Sequence, residues 1–226
     1  MQTFKHKDGI VLQELKTKNI DGKRHYVTPG GNYPSVTSIT SQLSAEGIKA
    51  WRARVGEKEA QKIITKASIR GTSVHKLCED YVNNIEVKES NDVFEQIKSE
   101  LDKHLGTIYA VEAPLYSDKL KVAGRVDLIA EWKGKLSIID FKTAKKTKKE
   151  EWIEAYFMQE SAYAVMFAER MGWELPLEKM NMDIVTIIGV DGQDQAQMFE
   201  KKSKDYYPKF KELRDQYEAN ASKSSR

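Results

Sequence analysis

The run GRVDLIAEWKGKLSIIDFKTAKK, residues 124–146, constrains the fold of this chain more than any other. Two apolar segments, VDLIAEW and LSIIDF, flank the short polar step Lys133-Gly134, which is the pattern of a hairpin. Into these segments are set Asp127, Asp140 and Lys142. Burying a charge without a partner costs several kcal/mol, and two carboxylates held together repel unless a cation lies between them. The hairpin reads as built around a cation that the chain does not itself encode.

Alternate residues of a strand share a face, so Leu136, Ile138, Asp140 and Lys142 point one way while Ser137, Ile139 and Phe141 point the other. The hairpin brings Asp127 close to Asp140, and Glu112, from VEAPLYS in the strand before, joins them at one sheet edge. Three acids and a lysine suit phosphodiester hydrolysis. Hard oxygen ligands select Mg²⁺ or Mn²⁺, which polarises a phosphoryl oxygen and makes the attacking water more acidic. Lys142 would orient or help deprotonate that water and offset charge on the phosphate. Surface ion pairs at strand ends are the alternative, and a spacing this loose, taken alone, favours them.

The 226 residues suffice for one sizeable core, and nothing in the sequence marks a second domain or an internal repeat. The formal net charge of +3 is uneven: residues 119–149 carry +7 and the remainder −4. A basic field around the odd carboxylates favours a polyanion, above all a phosphate backbone, although KKTKK by itself reads equally as a solvated loop. The lone Cys78 excludes an internal disulfide and any four-cysteine zinc or iron–sulfur site within one chain. No run reaches the roughly 20 apolar residues of a membrane span, and the start MQTFKHKDGI lacks both a signal peptide's apolar stretch and a transit composition. The expectation is a protein without membrane association, in a reducing cytoplasm.

The punctuation predicts a hairpin over 10–28 around Asp21-Gly22, loop at 29–34, and a helical region over 44–105. Within that region Ser44 would cap a first helix, a second would run over 57–81 with a break at Arg70-Gly71, and a third over 92–105. Strands at 108–117, 120–132 and 135–142, a helix at 150–171, strands at 182–190 and 195–200 and a helix at 203–218 complete a sheet covered by helices, over a single domain of residues 1–218 with a polar tail at 219–226.

At GRVD followed by IIDFKTAKK the chain resembles the PD-(D/E)XK nuclease superfamily, in its RecB-like branch, and looks most like the mitochondrial genome maintenance exonucleases and related phage and bacterial exonucleases. RGTSVHKLCEDY (residues 70–81) is similar to that branch's Gly-x-x-x-His helix, with Gly71 and His75 in the matching places and Glu79 one turn on to fix the imidazole. MQESAYAVMF (residues 158–167) looks like its Gln-x-x-x-Tyr motif, which places Gln159 and Tyr163 on one helical face to hold the DNA or brace Lys142. YPSVTSITSQL (residues 33–43) resembles the Ser/Thr segment of the mitochondrial-type enzymes, making Ser35, Thr37 and Ser38 strand-binding residues, although helix capping explains them nearly as well.

The resemblance implies an α/β, restriction-endonuclease-like fold, a mixed central sheet flanked by helices. It implies a Mg²⁺- or Mn²⁺-dependent deoxyribonuclease working as an exonuclease on single-stranded DNA or DNA ends, in replication, recombination or repair and with replication or recombination proteins as partners. The setting would be a bacterial or phage-infected cytoplasm. Metal ligands would be His75, Asp127, Asp140 and the Phe141 carbonyl, with Glu112, Asp127, Asp140 and Lys142 catalytic. Lys145 and Lys146 would hold backbone, and Trp51 or Trp152 would stack on bases or sit in the core. With one cysteine, the iron–sulfur cluster of some RecB-like nucleases is not expected. A structure-specific endonuclease of the same fold and an inactive DNA-binding module remain alternatives.

Overall fold

Two tight turns set the strand pairing. In the computed structural model, which describes residues 2–173 and 182–224, Asp21 and Gly22 have φ of 52° and 75°, and Lys133 and Gly134 of 50° and 76°. Positive φ at both central residues of a two-residue turn matches the twist of the strands it joins, and glycine takes the second position without steric cost. The first turn links β1 (Thr17–Ile20) to β2 (Lys23–Thr28), and β3 (Gly31–Pro34) completes a three-stranded antiparallel sheet. Residues 29–34 were expected as loop. They contribute β3 because Tyr33 packs with Leu15, Tyr26 and Ala123, a burial that local punctuation does not encode.

The second turn lies inside a five-stranded sheet of order β4 (Leu105–Ser117), β5 (Val122–Trp132), β6 (Lys135–Ala144), β7 (Asp183–Val190) and β8 (Gln197–Lys202). Only β6 and β7 run parallel. Parallel neighbours need a crossover, and the connection between them contains helix α5 (Glu154–Arg170). The outer edge of β4 is covered by the N-terminal segment, where Lys7 donates its amide to the Ile108 carbonyl and Ile108 to that of Lys5.

The other helices are α1 (Val36–Thr40), α2 (Ala45–Val55), α3 (Glu57–Val82), α4 (Asp92–His104) and α6 (Ser203–Ser224). The Asn91 side chain caps α4 by accepting the Phe94 amide at 2.9 Å, with acids in its first turn and Lys103 and His104 in its last. Helix α3 runs through Arg70-Gly71 without the expected break. A helical glycine costs about 1 kcal/mol, less than is gained by burying Val74, Cys78, Tyr81 and Val82 further along. Ser44 does not cap α2 with its side chain; it ends a 3-10 turn and donates to the Ser41 carbonyl. Helix α6 continues to Ser224 rather than ending at 218, since EANASK contains no helix breaker.

Each face of the larger sheet has its own core. On one face α3 and α4 pack Val74, Cys78, Phe94 and Ile97 against Leu128, Ile139, Phe141 and Val185. On the other, α1, α5 and α6 pack Ile39, Phe157, Met166 and Phe210 against Ile129, Ile138, Ile184 and Ile188. Among the described residues no helix is long and apolar enough to cross a membrane.

Candidate active site

Between β4 and β5 the ladder pairs Val111 with Leu128 and Ala113 with Val126 but passes over Glu112 and Asp127, which lie opposite each other. Glu112 there adopts φ 46°. Side-chain parity flips at the same point: Ala113 and Val126 pack on the α5 face, Val111 and Leu128 on the α3 face. The β5–β6 ladder also ends here, at Leu128 and Ile139. In place of a backbone carbonyl, Asp127 Oδ2 accepts the Phe141 amide at 2.8 Å, so the opened strands leave no orphan donor at that position.

Helix α3 brings His75 to the opening, with Nδ1 3.4 Å from Asp127 Oδ2. One ligand atom each from His75, Glu112 and Asp127 lies within 4.8 Å of the others. An imidazole and two carboxylates form a donor set that Mg²⁺ or Mn²⁺ accepts. The crowding shows in their proton affinities. Burial, followed by repulsion from Asp127, pushes Glu112 up to about 7. Burial also penalises the Asp127 carboxylate, but His75, Lys142 and the Phe141 amide reverse this and hold it below the usual carboxylate range. Partial burial disfavours the charged His75 ring, and the Asp127 hydrogen bond and charge nonetheless raise its pKa.

Asp140 and Lys142 share the α5 face, as strand alternation predicts. Lys142 Nζ is ion-paired with Asp140 Oδ2 and donates to the Phe141 carbonyl at 3.4 Å. It also lies 5.1 Å from the centre of the Tyr156 ring. Gln159 Nε2 donates to Asp140 Oδ1 at 3.1 Å, which places the amide of the Gln-x-x-x-Tyr pattern on the acid rather than on the lysine. Burial disfavours the Lys142 ammonium, yet Asp140 and Asp127 more than compensate and keep its pKa above the ordinary value. With one oxygen on Lys142 and the other on Gln159, Asp140 stands outside the group formed by His75, Glu112 and Asp127.

Other expected site residues divide into those facing the cleft and those that do not. Thr37 and Tyr163 line it, together with Arg24, Tyr26, Arg125 and Tyr156. The cleft measures about 740 Å³ and has the carboxylates and Lys142 in its wall. Ser35 is 1% exposed and caps α1, bonding the hydroxyls of Thr37 and Ser38 at 2.9 and 2.7 Å. Tyr163 packs on Gly124, where a Cβ would fall 2.7 Å from its ring. Lys145 and Lys146 are exposed just beyond β6 and are not cleft-lining residues. Glu79 pairs with Lys76 at 3.3 Å rather than backing His75. Trp51 is half-buried, and Trp152 is 62% exposed with Lys149 over its ring.

Three residues escape a reading of the sequence. Tyr156 shares a helical face with Gln159 and Tyr163, and that spacing is the one signal that points to it. Glu160 is fully buried, accepts from Thr186, and is pushed well above its ordinary pKa by burial. Its neighbours in α5 gave no sign of that. Arg24 comes from the N-terminal hairpin, too far along the chain to be linked to the strands.

Two opened strands, a histidine from a helix, and an acid–lysine pair at the end of the adjoining strand define a nuclease of the PD-(D/E)XK type, and the chain belongs to the PD-(D/E)XK nuclease superfamily, whose model matches residues 38–223. It is similar to mitochondrial genome maintenance exonuclease 1 of Mus musculus, 27% identical over 128 residues, and to that of Homo sapiens, 25% identical over 130. Each match takes in 51% of this chain and 38% of the relative, so the likeness spans well under half of either relative's length. The crystal structure of SSO0001 is a more distant likeness, with a TM-score of 0.39 at 15% identity over 80% of this chain and 72% of that one.

Proposed function

We propose that this chain is a Mg²⁺- or Mn²⁺-dependent deoxyribonuclease that degrades DNA from single-stranded ends. The observation that carries the proposal is the convergence of His75, Glu112 and Asp127 ligand atoms within 4.8 Å of one another, beside the ion pair of Lys142 with the buried Asp140. His75, Glu112 and Asp127 would hold the ion, with Asp140 and the Phe141 carbonyl adjoining on the Lys142 side. When bound, the ion supplies Lewis acidity toward a phosphoryl oxygen and a more acidic water. Lys142, whose pKa is raised, works as an ammonium. Its role is to hold the water by hydrogen bonding and to offset charge growing on the phosphate. Gln159 fixes Asp140, and Asp140 in turn fixes Lys142.

The exonuclease mode, and with it the action at ends, draws on the printed names of the mouse and human relatives, and the polyanionic substrate on the basic segment 119–149, which sends Arg125 and Lys142 into the cleft. A role in replication, recombination or repair follows from such a substrate, and the single buried thiol of Cys78 suits a reducing compartment. End-labelled linear and circular single-stranded DNA, incubated with Mg²⁺ or EDTA, tests the proposal. The expected outcome is metal-dependent shortening of the linear strand, an intact circle, and a rate at least ~10²-fold lower for Lys142→Ala. A nicked circle makes the protein an endonuclease. Binding without cleavage makes it a DNA-binding module.

A further inference from the structure

Resting on the nuclease reading above, we propose that Arg24 binds a backbone phosphate of the DNA strand, so that the N-terminal three-stranded sheet forms one wall of the substrate cleft. Besides His75, which is paired with Asp127, the cleft contains three basic side chains: Arg24, Arg125 and Lys142. Two of them already have carboxylate partners. Lys142 is paired with Asp140, and Arg125 donates to the Glu112 carbonyl and pairs with Glu14 at 2.7 Å. Arg24 has no carboxylate partner among the described residues; its guanidinium donates to Thr37 Oγ1 at 3.0 Å and lies near the Tyr26 ring.

The position of Arg24 is fixed from both ends. Its backbone carbonyl accepts the Ser35 amide at 3.0 Å, and Ser35 makes a β-bridge to Ala123 on β5, the strand that carries Asp127. Its side chain sits at the end of a hydroxyl chain, Thr37 to Ser35 to Ser38, that the α1 cap holds still. A guanidinium with one nitrogen committed and the others open to a cleft is suited to a phosphodiester, which it meets with a fork of donors. An anionic strand drawn over three carboxylates needs such an unspent cation nearby.

The test measures binding of a short fluorescent single strand to wild type and Arg24→Ala over a salt series with Ca²⁺, and cleavage of the same strand with Mg²⁺. Arg24→Ala is expected to weaken binding about tenfold at low salt, to lessen the salt slope by about 0.7, the share of one phosphate on a single strand, and to raise KM by more than it lowers kcat. A scan with single methylphosphonates adds a readout that a structural role would not move. One linkage should weaken wild-type binding when neutralised and leave Arg24→Ala unaffected. Arg24→Gln, which keeps a donor for Thr37 and loses only the charge, should match Arg24→Ala, and it carries the test if the alanine variant unfolds. Wild-type affinity, salt slope and methylphosphonate sensitivity in a folded variant overturn the inference while leaving the nuclease intact. A wild-type protein that neither binds nor cleaves the strand overturns the nuclease reading, and this inference with it.

Discussion

Glu112 is held in a backbone conformation and a charge state that its chemistry disfavours. A non-glycine residue at φ 46° costs roughly 1–2 kcal/mol, and burial beside Asp127 lifts its carboxyl from 4.5 to about 7. A carboxyl that holds its proton more tightly in the folded state makes stability fall as pH rises from about 4.5 to about 7, and the loss persists above that range. Glu112→Gln removes that penalty. Since Glu112 is only partly buried, the shift is discounted to ~1 kcal/mol, which is about 2–4 °C in Tm for a chain of this size. The metal-free variant should therefore unfold about 2–4 °C above wild type at pH 8 and together with it at pH 4.5. Thermal unfolding followed by circular dichroism checks this, and equal Tm values at pH 8 would show that Glu112 carries no such strain.

Among the elements, the close seating of α5 on β5 at Gly124 holds the Gln159–Asp140–Lys142 chain in place. A Cβ at Gly124 would meet the Tyr163 ring at 2.7 Å, so Gly124→Ala should destabilise by ~1–3 kcal/mol, the usual cost of overpacking. In a Tyr163→Ala background the same change should cost little, and urea unfolding of the four proteins measures the coupling. The hairpin turns at Asp21-Gly22 and Lys133-Gly134, the alternation that puts Asp140 and Lys142 on one face, and the Gln159–Tyr163 face were all legible in the sequence because each is set by residues a few positions apart. The parity flip at Glu112 and Asp127 was not. It arises where two strands bend together, and strict alternation across Asp127 would have left its neighbours Val126 and Leu128 on one face instead of two. Nor could the sequence show that Arg24 meets Thr37, which depends on how the small sheet lies on β5.

For the whole molecule, the site belongs to no single element. His75 comes from α3, Glu112 from β4 and Asp127 from β5, and the helix on the opposite face supplies Gln159 for Asp140. A metal bound by such a set binds the folded chain alone, and so should raise its Tm in a concentration-dependent way. Asp127→Asn is the sharpest probe, because an amide keeps an oxygen for the Phe141 N–H while giving up the charge. The most direct measurement is calorimetric titration of Mn²⁺ into wild type and Asp127→Asn at pH 8. The account predicts saturable binding at the site in wild type and affinity at least ~10²-fold weaker in the variant. Equal affinity in the two proteins, or no binding to wild type, would contradict it.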